Sequence, residues 1–190
     1  MNQKNDRRVQ YTKMFLKEAL LALMKEKHIS KITPTELCRK ADINRNTFYA
    51  HYTCPADLLR EIEDELYNEI MGCVTLFSNN SLKLNDICRA IKEHADLCAV
   101  ILSDRGDRDF LFRIIASAHD VTINEWKPLA PMATEKELES FFTYCANGSV
   151  AVIREWVNDG MKTPHEEIAR ILEIANSASL YALCSKKEEK

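Results

Sequence analysis

Five polar residues that can hydrogen-bond to nucleic acid fall within one short segment of this 190-residue chain. The segment reads RNTFYAHY, and the five residues are Arg45, Asn46, Thr47, Tyr49 and His51. Arg can pair bidentately with guanine and Asn with adenine, while Thr offers a hydroxyl and a methyl group to base edges. Tyr and His can hold phosphates without reading sequence. The pattern predicts a helix that presents these side chains to DNA.

Simpler explanations exist for several aromatic and basic residues of this region. Tyr49 and Tyr52 can both be core aromatics, which we expect of Tyr52 and not of Tyr49. His51, at a helix end, can instead stabilise the negative pole of the helix dipole. Arg7 and Arg8 fit either an arm that touches DNA or a solvated helix start, and the sequence leaves both open.

Capping signals predict two short helices joined by a tight turn. Thr33-Pro34-Thr35-Glu36 supplies an N-cap, a proline at the first helical position and a glutamate at the third, as in a capping box. This helix is predicted to end near Ala41. Asp42 and Ile43 then form the turn, and Asn44 caps the next helix, from about Arg45 to His51. Asp tolerates the left-handed conformation that such a turn uses.

The stretch ITPTELCRKADINRNTFYAHYTCPADLL resembles the helix-turn-helix of TetR-type regulators. In that family a Thr, a Tyr, a His and an aromatic close the recognition helix, and here they are Thr47, Tyr49, His51 and Tyr52. The resemblance covers roughly residues 7–70. The run Gly148–Trp156, followed by Gly160 and Pro164, is similar to a C-terminal domain found in one branch of the family.

The resemblance implies a homodimeric transcription regulator, often a repressor, whose C-terminal domain binds a small molecule or another protein. By matching position Arg45, Asn46 and Thr47 would meet bases. Thr33, Tyr49 and His51 would meet the DNA backbone, and Thr35 lies at a position that also faces DNA. The chain departs from the family pattern at Asp42, where Gly is usual, at Asn46, where a small residue is common, and at Pro55. Pro55 replaces a Lys, which removes one phosphate contact.

The whole chain is predicted to be all-α, with about nine helices, because apolar residues recur at helical spacing and only four Gly and five Pro are present. The first helix is expected from about Arg7 to Lys27, with Phe15 on its apolar side, and a later one is expected to stop at Pro128. Thr134 is expected to cap the next helix, which Gly160 ends. We expect a helix-turn-helix domain over residues 7–53 and a connecting fourth helix over 55–77. A regulatory and dimerisation domain should cover residues 78–185. Residues 1–52 carry 11 Lys and Arg against 5 Asp and Glu, whereas the rest carry 15 against 24. A basic head on an acidic body suits a polyanionic partner.

Two features of the C-terminal half have both a functional and a structural explanation. A candidate ligand pocket comprises Phe77, Phe112, Ile115, His119 and Trp126, which can equally be ordinary core residues. The small residues Gly148, Ser149 and Ala151 of one helix, together with an apolar stripe on the last helix, predict a four-helix subunit interface. The stripe comprises Ile168, Ile171, Leu172, Ala175, Ala178 and Ala182. Packing within one subunit is the alternative for this second feature.

Other classes of protein find little support in the sequence. His94 and Cys98 share a helix face, but no third ligand has matching spacing, so we expect neither a metal nor a cofactor. The sequence shows no nucleophile–base pair of the kind that an enzyme would need, so we do not expect an enzyme. Seven cysteines without CxxC spacing predict reduced thiols, and no apolar segment reads as a signal peptide or membrane span. A cytoplasmic regulator bound to double-stranded DNA is expected. The rivals are a TetR-like co-regulator that acts through a protein partner, and a small helical enzyme.

Overall fold

The computed structural model describes residues 3–75, 84–103 and 108–184, without the side chains of residues 3–6, 73–75, 108–109 and 182. Within these ranges the regular structure is helical and no strand occurs. The elements are α1 (Gln3–Met24), a 3-10 turn (Ile29–Lys31), α2 (Pro34–Ala41), α3 (Arg45–Tyr49), α4 (Pro55–Thr75), α5 (Leu84–Glu93), α6 (Ala95–Ile101), α7 (Arg108–Leu129), α8 (Glu135–Asn158) and α9 (His165–Cys184). The predicted all-α fold of about nine helices is confirmed.

Several helix bounds differ from the prediction. Helix α3, expected to reach about His51, ends at Tyr49. Helix α1 covers Gln3–Met24 rather than Arg7–Lys27. Helix α7 was expected to stop at Pro128, yet it continues to Leu129. Pro128 lacks the N–H that would donate within the helix, but the N–H of Ala130 still donates to the carbonyl of Trp126 at 2.9 Å. The helix therefore accommodates proline in its last turn.

The described residues form two compact units, one from residues 3–66 and 100–103, the other from residues 67–75, 84–99 and 108–184. In the first unit, side chains from the first four helices are fully buried together; they are Leu16, Leu20, Met24, Leu37, Phe48 and Leu58. Phe15, expected on the apolar side of α1, is exposed. It lies about 100° around the helix from Leu16 because an α-helix turns by one residue in 3.6.

The second unit packs α9 against α5 and α8, and α7 against α8. One core cluster contains Ile123, Ala130, Leu138, Phe142 and Leu183. The predicted cap of α8 is present, since the Thr134 hydroxyl accepts from the N–H of Glu137 at 3.3 Å and the Glu137 carboxylate accepts from the N–H of Thr134 at 2.9 Å. Gly160 follows the end of α8 with φ 78°, the left-handed conformation predicted there. Within the described ranges, no helix is both long and apolar enough to span a lipid bilayer.

Candidate nucleic-acid interface

Helices α2 and α3 form the predicted helix-turn-helix, and two capping hydrogen bonds and one left-handed residue define it. The Thr33 hydroxyl accepts from the N–H of Glu36 at 3.3 Å and starts α2. Asp42 adopts a left-handed conformation with φ 54° and ψ 41°, which confirms the expectation from its side-chain type. The Asn44 side chain accepts from the N–H of Asn46 at 2.8 Å and starts α3. Backbone geometry therefore fixes where α3 begins and how it leaves the turn.

Helix α3 has one buried and one exposed side. Phe48 is fully buried, and Tyr52, just beyond the helix, is almost so. Their ring centroids are 5.7 Å apart. The neighbouring Tyr49 instead leaves 48% of its surface exposed. The core interpretation is thus right for Tyr52 and wrong for Tyr49.

All the side chains that the sequence assigned to DNA are exposed to solvent in the first unit. These residues are Thr33, Thr35, Arg45, Asn46, Thr47, Tyr49 and His51. Arg45 and Tyr49 also contact each other: an Arg45 Nη donates to the Tyr49 hydroxyl at 3.5 Å, and the guanidinium lies 5.8 Å from the ring centroid. Because the contact is exposed and long, both side chains are available to a ligand.

A polar network that the sequence did not reveal holds α3 against α1 and α4. The Tyr52 hydroxyl donates to the Glu61 carboxylate at 3.1 Å. Lys13 pairs with the same carboxylate at 3.0 Å and lies 5.7 Å from the Tyr52 ring centroid. Burial, followed by the adjacent Glu61 charge, raises the pKa of Tyr52, so the phenol stays protonated and donates. Lys13 and Glu61 are 48 residues apart, a separation that no local pattern can connect.

Ion pairs use up part of the positive charge that the sequence assigned to the head. Lys17 pairs with Glu65 of α4 at 2.5 Å, and Lys27 pairs with Glu36 of α2 at 2.5 Å. Hydrogen bonding from Lys27 lowers the pKa of Glu36 and keeps that carboxylate charged. The net charge over residues 1–52 does not include the acidic residues of α4. The electrostatic attraction of this region for a polyanion is therefore weaker than the charge count suggests. Binding of a polyanion would depend more on the exposed side chains of α2 and α3.

The second unit contains a cavity of about 450 Å³ between α5, α7, α8 and α9. Ile115 and Trp126, two of the candidate pocket residues, line it. Phe112 is not among the residues that line this cavity, and it is 66% exposed. His119 is held elsewhere, between Asp120 and Glu139. Phe77 lies outside the described residues.

Sequence reasoning missed two acidic residues of this cavity, Glu125 and Glu173. Glu125 immediately precedes Trp126 in a helix where charged residues usually face solvent, so its residue type did not indicate a cavity position.

His94 and Cys98, the pair with the spacing of metal ligands, have separate contacts in the structure. The His94 Nε2 contacts a Glu69 oxygen at 2.7 Å, and Cys98 is buried.

Helices α8 and α9 leave an apolar face exposed to solvent. Its residues, which we call the α8–α9 face, are Tyr144, Gly148, Ala151, Ile171, Ile174, Ala175, Ala178 and Tyr181. Ile174 and Tyr181 expose 56% and 74% of their surface. Ile168 and Leu172, which the sequence placed in the same stripe, are buried within the unit. Of the predicted stripe, Ile171, Ala175 and Ala178 are therefore exposed, and the side chain of Ala182 lies outside the described residues.

Within the described ranges, α2 and α3 form a helix-turn-helix in an otherwise helical structure, which is the architecture of helix-turn-helix proteins. A family model of TetR type, described as the transcriptional regulator C-terminal region, matches residues 79–177, slightly more than half of the chain. The chain therefore belongs to the TetR family of transcriptional regulators.

Relatives and solved structures agree with this assignment. The chain is 24% identical over 181 residues to the uncharacterized HTH-type transcriptional regulator YxbF of Bacillus subtilis (strain 168), covering 90% of this chain and 46% of the relative. The chain thus spans about half the length of the curated relative that it matches.

Among solved structures, a TetR transcriptional regulator from Streptococcus agalactiae 2603V is similar with a TM-score of 0.67 and 20% identity, covering 93% of this chain and 99% of that one. The dihydroxyacetone kinase operon activator DhaS is similar with a TM-score of 0.60 and 18% identity, over 90% of this chain and 97% of that one. At these identities the likeness is one of fold.

Proposed function

We propose that this TetR-family regulator binds a pseudo-palindromic DNA operator as a homodimer and represses transcription. The observation that carries the proposal is the exposed row on α3, formed by Arg45, Asn46, Thr47 and Tyr49 beside the buried anchors Phe48 and Tyr52. Phe48, the buried residue of this five-residue helix, fixes the direction of the polar side chains on either side of it. Such a helix can enter the major groove, which an α-helix fits.

The exposed residues divide into base-reading and backbone-holding groups. Arg45, Asn46 and Thr47 are at the N-terminal end of α3, the end that contacts base edges in helix-turn-helix proteins. Thr33 and Thr35 are at the start of α2, where backbone N–H groups and hydroxyls suit a phosphate. Tyr49 at the far end of α3, and His51 just beyond the helix, complete the backbone contacts in this assignment.

The α8–α9 face supports the homodimer. Exposed apolar residues recur along α9 at helical spacing, as in Ile171, Ile174, Ala178 and Tyr181. The small residues Gly148 and Ala151 of α8 would let a second copy approach closely. Two-fold symmetry makes such a face self-complementary, and a two-fold protein requires two half-sites about 34–36 Å apart.

Repression, a small-molecule effector and a cytoplasmic location complete the proposal. The cavity of the second unit offers a place for an effector, and α4 continues from the first unit into the second, so that it can transmit an effector signal. The described cysteines are free thiols, which fits a reducing compartment. No catalytic step is assigned to any residue.

Selection of bound sequences from a random DNA pool tests the proposal. We expect a two-fold symmetric consensus whose affinity falls steeply with salt, because each neutralised phosphate releases counterions. A variant with Arg45, Asn46 and Thr47 all changed to Ala retains the buried anchors and should select no consensus. Enrichment of one consensus by both proteins would place DNA reading elsewhere.

Failure of the folded wild-type dimer to bind any DNA would favour the co-regulator that acts through a protein partner. A transcription reporter carrying the selected site then gives the sign of regulation. Lower expression in the presence of the protein supports repression, whereas higher expression contradicts it.

A further inference from the structure

The cavity of the second unit is large enough for an organic ligand. Its volume of about 450 Å³ lies within the usual range for small-molecule sites. Apolar and aromatic side chains form most of its wall, among them Ile115, Trp126, Phe142 and Ile153. This wall favours a ligand with an apolar body.

The charges in the cavity wall have one sign. Glu125 of α7 and Glu173 of α9 line the cavity, and none of the described residues that line it is Lys, Arg or His. The remaining polar lining groups are neutral: Thr122 donates to the Ala118 carbonyl at 2.8 Å, and Asn176 donates to Ser149 at 3.4 Å. The wall therefore carries negative charge without a positive counterpart among the described lining residues.

Glu125 has a buried carboxylate oxygen, Oε1, that is not hydrogen-bonded within the described ranges. Burial raises the pKa of Glu125, because desolvation disfavours a carboxylate that no donor or cation stabilises. A buried acceptor without a partner is costly to a fold, and a positive group at this position would remove the cost.

We propose that this cavity binds a lipophilic organic cation, with its ammonium group at Glu125 and Glu173 and its apolar body against Trp126 and Phe142. A cation near the face of Trp126 would gain further attraction from the indole ring. The proposal names the chemical class of the effector and so rests on the proposed function for its regulatory meaning, although binding itself does not require DNA.

Isothermal titration calorimetry of the full chain with three phenylalkyl probes of similar length tests the charge preference. The probes are (4-phenylbutyl)trimethylammonium as cation, 4-phenylbutanamide as neutral N–H donor, and 5-phenylpentanoate as anion. The quaternary ammonium has no N–H, so its advantage over the amide cannot come from hydrogen bonding. We expect the cation to bind at least about tenfold more tightly than the amide, and the anion to bind most weakly, as for opposite charges at low dielectric.

Glutamate-to-glutamine variants show which carboxylate causes the preference for the cation. Glu125→Gln should lower the affinity for the cation at least about tenfold and change that for the amide less than about threefold. Glu173→Gln should have a smaller effect because Glu173 is exposed. Glu167→Gln, on the same helix as Glu173 but outside the cavity wall, should leave all three affinities unchanged.

The pH dependence provides an independent readout. The probe keeps its charge at every pH, so titration comes from the cavity: Glu125, Glu173 and the thiol of Cys145, whose pKa burial raises. The cation should bind more weakly as pH falls through the raised pKa of Glu125, because protonation removes the charge that it pairs with. In Glu125→Gln this decline should shrink.

Three results would overturn the proposal: equal binding of cation and amide, unchanged cation affinity in Glu125→Gln, and no saturable cation binding up to about 1 mM. None of them bears on operator binding, which is measured without probe. Conversely, a chain that prefers the cation but binds no operator supports the ligand class and contradicts the proposed function alone.

Discussion

Arg45 and Tyr49 show how two neighbouring residues of one helix can do different work. They are four positions apart, which places them on the same side of α3, and their side chains touch at 3.5 Å. Arg45 presents a fork of donors suited to a guanine edge. Tyr49 presents a single hydroxyl suited to a phosphate oxygen. In the proposed function, their contact would orient the guanidinium before DNA binds.

Substitution at these two positions should separate base reading from backbone holding. A bidentate pair with guanine discriminates by about 1–3 kcal/mol, so Arg45→Ala should weaken the best operator by about 5- to 150-fold. It should also relax the preference at one base pair in each half-site. Tyr49→Phe should weaken all sequences by a smaller and uniform factor, because phosphate contacts carry no direct sequence information. Binding to every single-base variant of the selected operator measures both effects.

Circular dichroism must first show that both variants keep the helical fold. A uniform loss in Arg45→Ala, together with altered base preference in Tyr49→Phe, would reverse the two roles. The double variant reports on their contact. If Tyr49 acts partly by orienting Arg45, the double variant will lose less binding free energy than the two single variants lose together.

At the scale of the helix, His119 joins α7 to α8. Its Nε2 contacts Glu139 of α8 at 2.8 Å, and its Nδ1 contacts the adjacent Asp120 at 2.8 Å. Hydrogen bonding to Glu139, followed by that to Asp120, raises the pKa of His119. The folded chain therefore binds this proton more tightly than the unfolded chain does. The resulting stabilisation is fully present below the unfolded pKa and is lost as pH rises through the folded pKa.

The prediction is that His119→Gln lowers the free energy of unfolding more in acid than in base. The contact is largely solvated, so a difference of about 0.5 kcal/mol is expected between about pH 6 and pH 9. Urea unfolding at the two pH values measures it. Glu139→Gln should reduce the pH-dependent part, and His51→Gln, in the other unit, should leave it intact. A larger effect of His119→Gln at high pH would contradict the assigned pairing.

The elements themselves were largely predictable because their signals are local. Thr33, Asn44 and Thr134 each bond to a backbone N–H within three residues, so their types and spacing are enough to locate helix starts. Asp42 was predictable for the same reason, since its left-handed conformation depends on one side chain.

The missed features depend on residues that only the fold brings together. Tyr52, Glu61 and Lys13 belong to three separate stretches of the chain, and nothing in each stretch marks a partner. Glu125 is similar, because its burial follows from the packing of α5, α7, α8 and α9 around it. The apolar stripe of α9 was found, but its rotation was not: Leu172 packs inward and Ile174 outward, a choice set by where α5 and α8 lie.

At the scale of the whole molecule, the α8–α9 face predicts a stable dimer. Light scattering behind size exclusion should give about twice the chain mass of 21.9 kDa. Ile174→Glu should convert the protein to a folded monomer with strongly reduced operator affinity, because a charge would be buried against its own symmetry copy. Met132→Glu is the matched control, since Met132 is 67% exposed outside this face. Retention of the dimer in Ile174→Glu, or its loss in Met132→Glu, would contradict the assigned interface.

Operator and effector must influence each other equally if the cavity regulates DNA binding. Suppose that (4-phenylbutyl)trimethylammonium weakens operator binding by some factor; linkage then requires that saturating operator weakens binding of this cation by the same factor. Typical coupling of 1–3 kcal/mol corresponds to about 5- to 150-fold.

Trp126 lines the cavity and can report on the cation, and Trp156→Phe removes the other tryptophan. Trp156 donates to the Thr163 carbonyl at 2.8 Å, so this variant must first match the wild type in operator affinity. Emission of Trp126 is then titrated with the cation in the absence and presence of operator, while operator affinity is titrated with and without the cation. Equal factors identify the cation as an effector. A cation that changes the emission of Trp126 and leaves operator affinity unchanged would show a binding site without a regulatory role.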